Sequence, residues 1–311
     1  MNKQIALGLL AAVAASGAFA QSSVTVYGRL NVTVESIKVG DEDRQSDVHN
    51  NSSRIGFKGT EDLGGGLKAG FQIEHGFDPT TGTAAATFWG RQAEVNLSGN
   101  FGKVRLGTFF PGSYYALADY ISMHNHDTGD SSDALYATKF TTQNKVGYMS
   151  PTFGGFQFEG SVAEGSSTTS RNYDVAGNYD NGPLHLGFGY EKQGDQKQLG
   201  IRGLYELGAF TIGALVQRDT DMYGVGFGDR TYFRVAGMYA MGASEFHLNV
   251  GRAGEYDNVS NSAATQWTAG YNYNLSKRTK VYGYYTRISD GDAAVYGGDY
   301  NAFALGIRHN F

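Results

Sequence analysis

The chain contains no cysteine, so neither a disulfide framework nor a thiolate metal site is open to it. Beyond residue 20 no apolar run approaches the length of a membrane-spanning helix, and mean hydropathy is −0.36. No Lys/Arg run offers a groove that could track phosphates. Removing Lys3 from the 25 basic residues leaves 24 against 30 acidic ones, a net charge of −6. That modest acidic balance argues against nucleic-acid binding. Proline is scarce at 4, whereas glycine reaches 45, tyrosine 21 and phenylalanine 19. This mixture fits a β-barrel, with aromatics available for interfacial girdles and glycines for tight turns.

Residues 1–20 read as an export signal rather than part of the fold. Lys3 supplies the positive end, Ile5 to Ala15 the short apolar core, and Ala18-Phe19-Ala20 the small-x-small cleavage pattern, with the cut after Ala20. The apolar run is short for a span, which needs ~20 residues. The mature domain is therefore expected over 21–311.

Both ends of that domain alternate with period two. Phe303, Leu305, Ile307 and Phe311 oppose Ala304, Gly306, Arg308 and Asn310. Val24, Val26, Leu30, Val32 and Val34 oppose Thr25, Tyr27, Arg29, Asn31 and Thr33. A terminal strand cannot remain an open edge in lipid, because its backbone groups would go unpaired. Two matching ends point to a closed barrel. A soluble exported β protein is the competing reading of the same alternation.

Short connections rich in Gly, Asn, Asp and Pro occur at 62–66, 99–102, 151–155, 180–183, 207–208, 242–243 and 275–278. Longer polar stretches lie near 38–52, 76–88, 109–143, 164–172, 193–196, 219–230, 255–265 and 289–299. Seven turns and eight loops join sixteen antiparallel strands, an even number that lets the first and last close on each other. Segments such as Leu184–Tyr190, Phe246–Val250 and Trp267–Tyr273 alternate cleanly. Their length of ~9–11 residues suits a tilted membrane strand. Thr279–Ile288, with Tyr282, Tyr284 and Tyr285, has no clear phase. In Trp89–Ser98, Gln92, Glu94 and Asn96 share the parity opposite Arg91. If Arg91 faces the lumen, that outer face is polar and is expected to pack against another subunit rather than lipid.

A connection as long as 109–143 is unusual unless functional. Folded into a sixteen-stranded lumen, which is wide enough for water, it would narrow the passage. It carries Asp119, Asp127, Asp130 and Asp133. Strand parity turns Arg29, Arg54, Lys58, Arg105 and Lys145 inward. Cations on a wall facing an acidic loop set up a transverse field of the kind that governs ion selectivity.

Ser53-Arg-Ile-Gly-Phe-Lys-Gly-Thr-Glu-Asp-Leu-Gly-Gly-Gly-Leu67 resembles the second strand and first turn of Gram-negative general porins, particularly the β-proteobacterial and neisserial branch. Val24–Arg29, Asn144–Gly155, Leu275–Thr279 and Gly306–Phe311 resemble further strands and turns of that branch. The resemblance implies an outer-membrane homotrimer of sixteen-stranded barrels with loop three folded into each pore. Its partners would be outer-membrane lipid and lipopolysaccharide, the outer-membrane assembly machinery, and the small hydrophilic solutes and ions that pass through. The family's basic constriction carries over to Arg29, Arg54 and Arg91, with Lys139 a weaker match, and its terminal assembly signal to Phe311. The chain departs from the family in lacking a Pro-Glu-Phe-like motif in loop three, where Phe109-Phe-Pro-Gly112 is nearest, and in being short, so its outer loops must be trimmed.

The His124-Asn-His126-Asp127 stretch is the one histidine cluster, and it reads as a polar loop tip rather than a metal site. No cofactor is implied. Gly224-Val-Gly-Phe-Gly228 lacks the strand–turn–helix setting of a phosphate loop. The expected activity is passive diffusion of small hydrophilic solutes. A substrate-specific channel is the alternative, and an adhesin barrel or outer-membrane hydrolase lies further off. With Arg29, Arg54 and Arg91 on one wall and Lys58 and Lys139 near, against the four loop aspartates, a weak preference for anions is expected. A pore gives stepwise conductance in a planar bilayer, whereas an adhesin or purely structural barrel gives none.

Overall fold

The computed structural model describes residues 23–119 and 134–311. The expected export signal, His124, His126, Asp127, Asp130 and Asp133, and the side chain of Asp119 lie outside the described residues.

Eighteen strand segments form one antiparallel sheet. They are β1 (Ser23–Val39), β2 (Gln45–Asn50), β3 (Arg54–Gly64), β4 (Leu67–Asp78), β5 (Thr83–Ala84), β6 (Gln92–Gly99), β7 (Gly102–Thr108), β8 (Lys145–Met149) and β9 (Phe156–Ala163). The second half comprises β10 (Asn172–Asn181), β11 (Leu184–Gln193), β12 (Gln196–Leu207), β13 (Phe210–Thr220), β14 (Asp229–Met241), β15 (Ser244–Ala253), β16 (Ala264–Asn274), β17 (Thr279–Asp290) and β18 (Tyr300–Asn310). They make sixteen staves, because β2 and β3 lie end to end along β1, and β5 and β6 along β4. Short turns and longer loops alternate around the ring as the turn residues predict.

Closure is made by β1 and β18, paired continuously from Arg29–Asn310 to Val39–Tyr300. At the last residue, the Phe311 amide donates to the Gly28 carbonyl and the Gly28 amide to the Phe311 carbonyl, both at 3.1 Å. The Phe311 ring lies where a side chain at residue 28 would stand: a Cβ there would meet its Cζ at 2.4 Å. Only glycine at residue 28 lets the final ring fold back over the seam.

Outward positions are apolar and exposed, inward ones small or polar and buried. On β18, Leu305 and Ile307 are 57% and 59% exposed, while Ala302 and Ala304 are fully buried. So much exposed Val, Leu, Ile and Phe on one continuous face marks a surface solvated by hydrocarbon. Near the short turns this face carries paired rings, Phe156–Tyr179 at 4.4 Å, Phe210–Tyr239 at 4.7 Å and Phe246–Tyr271 at 5.1 Å, as an interfacial girdle requires.

The phase of β17, illegible in the sequence, is set by its neighbours. Tyr282 and Tyr284 turn inward and lie buried, and Tyr282 covers the gap at Gly306. Across that gap Tyr282 donates to Asn31 Oδ1 at 2.7 Å and Tyr284 to Glu35 Oε1 at 3.2 Å.

The segment around Gln92 corrects an expectation. Val95 and Leu97 are exposed on the outside, and Glu94 is buried inside, 2.9 Å from Arg105 Nε. Asn96 donates to Glu94. Gln92, Glu94 and Asn96 therefore do not form a polar outer face for a subunit contact. The cause is local: the chain turns at Thr87–Gly90, and the strand begins only at Gln92. Arg91 precedes the pleat, so its direction says nothing about the parity that follows.

Deleting Phe311 removes the seam's last two backbone bonds and the ring over Gly28. The truncated chain should still be exported but should fail to accumulate as folded barrel in the outer membrane. Cell fractionation with surface labelling checks this, and wild-type surface levels would refute it.

Candidate functional site

One inner wall concentrates cations. Arg29 on β1 stands opposite Arg54 at the head of β3. Arg91 lies across Gly76 of β4, its Cδ 3.3 Å from where a Cβ would be. Between the two guanidiniums sits the buried Glu74, whose Oε1 is 2.6 Å from Arg91 Nε and 3.9 Å from Arg54 Nε. Among the described contacts, one carboxylate thus serves two arginines. Arg29 Nε donates to Asn310 Oδ1 at 3.2 Å, which holds it flat against the closing seam.

Two cations of this wall are missing from the sequence-based set. Arg308 on β18 stands opposite Asn31 of β1 and Lys280 of β17, and it acts on Arg54 as a like charge. Lys280 Nζ is 3.9 Å from Glu245. Arg308 lies on the polar parity of the terminal strand, a signal present in the sequence. Only the closing register brings it beside Arg29 and Arg54. Lys58 is on the same wall, 5.2 Å over the Tyr27 ring and nearer the short-turn end. Lys139 belongs elsewhere. It sits on the returning limb of the long loop and donates from Nζ to Gln196 Oε1 at 2.6 Å, on the opposite side.

The long loop enters at Phe109, buried beneath the Arg105 guanidinium at 3.8 Å and the Lys145 ammonium at 4.7 Å. Gly112–Tyr114 form a single helical turn that runs into a wider turn, Tyr115–Asp119. The buried carboxylate of Asp174 on β10 anchors this turn. It accepts from the Gly112 amide at 2.7 Å, from the Ser113 amide at 3.2 Å, and from the Ser113 hydroxyl. Leu117 seats over Gly189 and Gly200, where a Cβ would come within 3.0 and 2.7 Å of it. Arg202 Nε donates to the Ala116 carbonyl at 2.7 Å.

The returning limb is tied to the same side. Arg230 on β14 donates to the Leu135 carbonyl at 2.8 Å and pairs with Asp219 on β13 at 2.9 Å, both side chains fully buried. Tyr223, Tyr256 and Tyr296 surround its guanidinium at 4.7, 5.2 and 5.3 Å. Gln217 donates to the Ala137 carbonyl and Thr138 to Glu191. The described limbs of the loop thus pack on inward side chains of β10–β14 and leave their open side toward β1–β4. Of the four expected loop aspartates, three lie outside the described residues, as does the side chain of Asp119. Asp174, Asp219 and Glu191, which hold the loop, escaped the sequence reading because their partners are tens of residues away.

Residues 6–293 match the family model described as Gram-negative porin. Outer membrane porin protein 32 of Delftia acidovorans is 32% identical, over 97% of this chain and 98% of that protein. The major outer membrane protein P.IB of Neisseria meningitidis serogroup B is 33% identical over 58% of this chain and 54% of that protein. Among solved structures, the anion-selective porin from Comamonas acidovorans superposes with a TM-score of 0.80 at 27% identity, covering 94% of this chain and all of that one.

Asp174→Ala strands two backbone amides and a hydroxyl. Hydrogen bonds to a charged acceptor are worth ~1.5–3 kcal/mol each, so the descending limb should loosen markedly. Single-channel recordings should show larger open-channel current noise than the wild type. Unchanged noise would mean that Asp174 does not hold the loop.

Proposed function

Because this chain belongs to the Gram-negative porin family, an outer-membrane channel rather than an enzyme, we propose that it passes small hydrophilic solutes by diffusion with a weak preference for anions. The observation that carries the preference is the wall itself: Arg54 and Arg91 share the carboxylate of Glu74, and Arg29 and Arg308 stand beside them along the β1–β18 seam. The long loop, anchored to the opposite side, narrows the lumen against this wall. The anion selectivity in the name of the Comamonas structure agrees with this reading.

The overall negative charge does not contradict it. Charges on outer loops are screened beyond ~8 Å at physiological salt, whereas a narrow section with low-dielectric walls focuses the field of its own charges. We further propose a homotrimer, in keeping with the family resemblance, its contact surface being an apolar outward face and not Gln92, Glu94 and Asn96. Native mass in mild detergent should equal three chains, and a mass of one chain would refute it.

A unit charge ~7 Å from a passing ion in water is worth ~0.6 kcal/mol, about threefold in local ion density before screening. Arg54→Glu reverses such a charge. The chloride-to-potassium permeability ratio, read from the reversal potential in a salt gradient, should fall several-fold. Lys192→Glu, at an exposed outward position near a loop end, should barely move it. Equal shifts in both variants, or none in either, would sink the assignment of the basic wall.

A further inference from the structure

The long loop carries a connected set of rings on its open side. Phe110 and Phe140 lie 5.2 Å apart, Tyr114 and Phe140 4.5 Å, and Phe110 and Tyr115 5.9 Å, with edge-to-face or steeply inclined planes. Tyr115 and Phe140 remain 43% and 38% exposed. The loop's other side is bonded to β10–β14 through Asp174, Arg202 and Gln217. The exposed rings therefore look across the lumen rather than into the wall. Their neighbour Phe110 reaches the basic wall, with the Arg91 guanidinium carbon 5.3 Å from its centroid, and Tyr115 lies within electrostatic reach of Arg54.

Apolar surface left facing water is unfavourable, and an ion needs no aromatic ring to pass. A solute with a π face and a negative charge would use both halves of this arrangement. We propose that Tyr115 and Phe140, with Arg54 and Arg91, form a transit subsite for aromatic carboxylates. The carboxylate pairs with the guanidinium of Arg54 or Arg91, which share Glu74. The ring of the solute stacks on Phe140 and Tyr115 or slides over the planar face of Arg91, as guanidinium planes accept aromatic rings. Aromatic cations are turned away by the wall, and aliphatic anions gain the charge contact without the stacking. The proposal rests on the reading of the wall as the anion-attracting side of the passage.

The test is block of the potassium chloride current through the purified channel in a planar bilayer by benzoate and by cyclohexanecarboxylate, at a pH where both are ionised. The two share charge and ring size, and the saturated ring is the more hydrophobic, so non-specific adsorption favours it. Benzoate should have the lower half-blocking concentration, by about two- to tenfold. Phe140→Leu should bring the ratio near one, and Phe140→Tyr should keep it. The reversal potential is recorded in the same membranes. Equal half-blocking concentrations in the wild type, with a chloride-favouring reversal potential, overturn the aromatic subsite alone. So does a benzoate preference that survives both Phe140→Leu and Tyr115→Leu. A potassium-favouring reversal potential overturns the reading of the wall and the subsite with it.

Discussion

Every backbone amide and carbonyl at membrane depth must find a partner within the protein, because hydrocarbon supplies none. That requirement makes the β1–β18 seam the interaction on which the rest depends. It forces an even ring of staves, and it sets the registers between neighbours. It also makes the strand phase binding for every side chain, since a slip of one residue would turn a whole stave inside out. The basic wall is a by-product of this closure. Arg29 and Arg308 are far apart in the chain and become neighbours only because the first and last strands pair.

The lumen is asymmetric for a related reason. A loop that enters the barrel must exchange its hydration for bonds to the wall, and buried polar groups are tolerated only when partnered. The strands from β10 to β14 present those partners: Asp174, Glu191, Arg202, Gln217 and Arg230. They fasten the loop to one side. The cations of β1, β3 and β18 stay on the other, where water and solutes reach them.

Much of the barrel is legible in the residues alone. Alternation in 184–190, 246–250 and 267–273, and glycine-rich turns between long polar loops, state both the strand number and which faces meet lipid. What is lost is instructive. The phase of 92–97 is misread because Arg91 stands one residue outside the strand, beyond a turn that the alternation does not mark. The phase of 279–288 is hidden because tyrosine suits either an aromatic girdle or a hydrogen-bonded lumen, and only Gly306, Asn31 and Glu35 decide between them. Arg54 and Arg29 follow from parity, whereas Glu74, which tempers Arg54 and Arg91, is brought to them only through register. The acidic anchors of the loop are pairwise facts between distant segments, and no local pattern encodes them.

Glu74 gives the passage a property that neither its width nor its net charge describes. A guanidinium with no resident carboxylate would capture an anion and release it slowly. On the proposed anion route, an incoming anion would displace a tethered competitor that is always at hand, and each departure would be assisted by the carboxylate falling back into place. Affinity would be surrendered for turnover, and a stronger binding site at this point would make a slower channel.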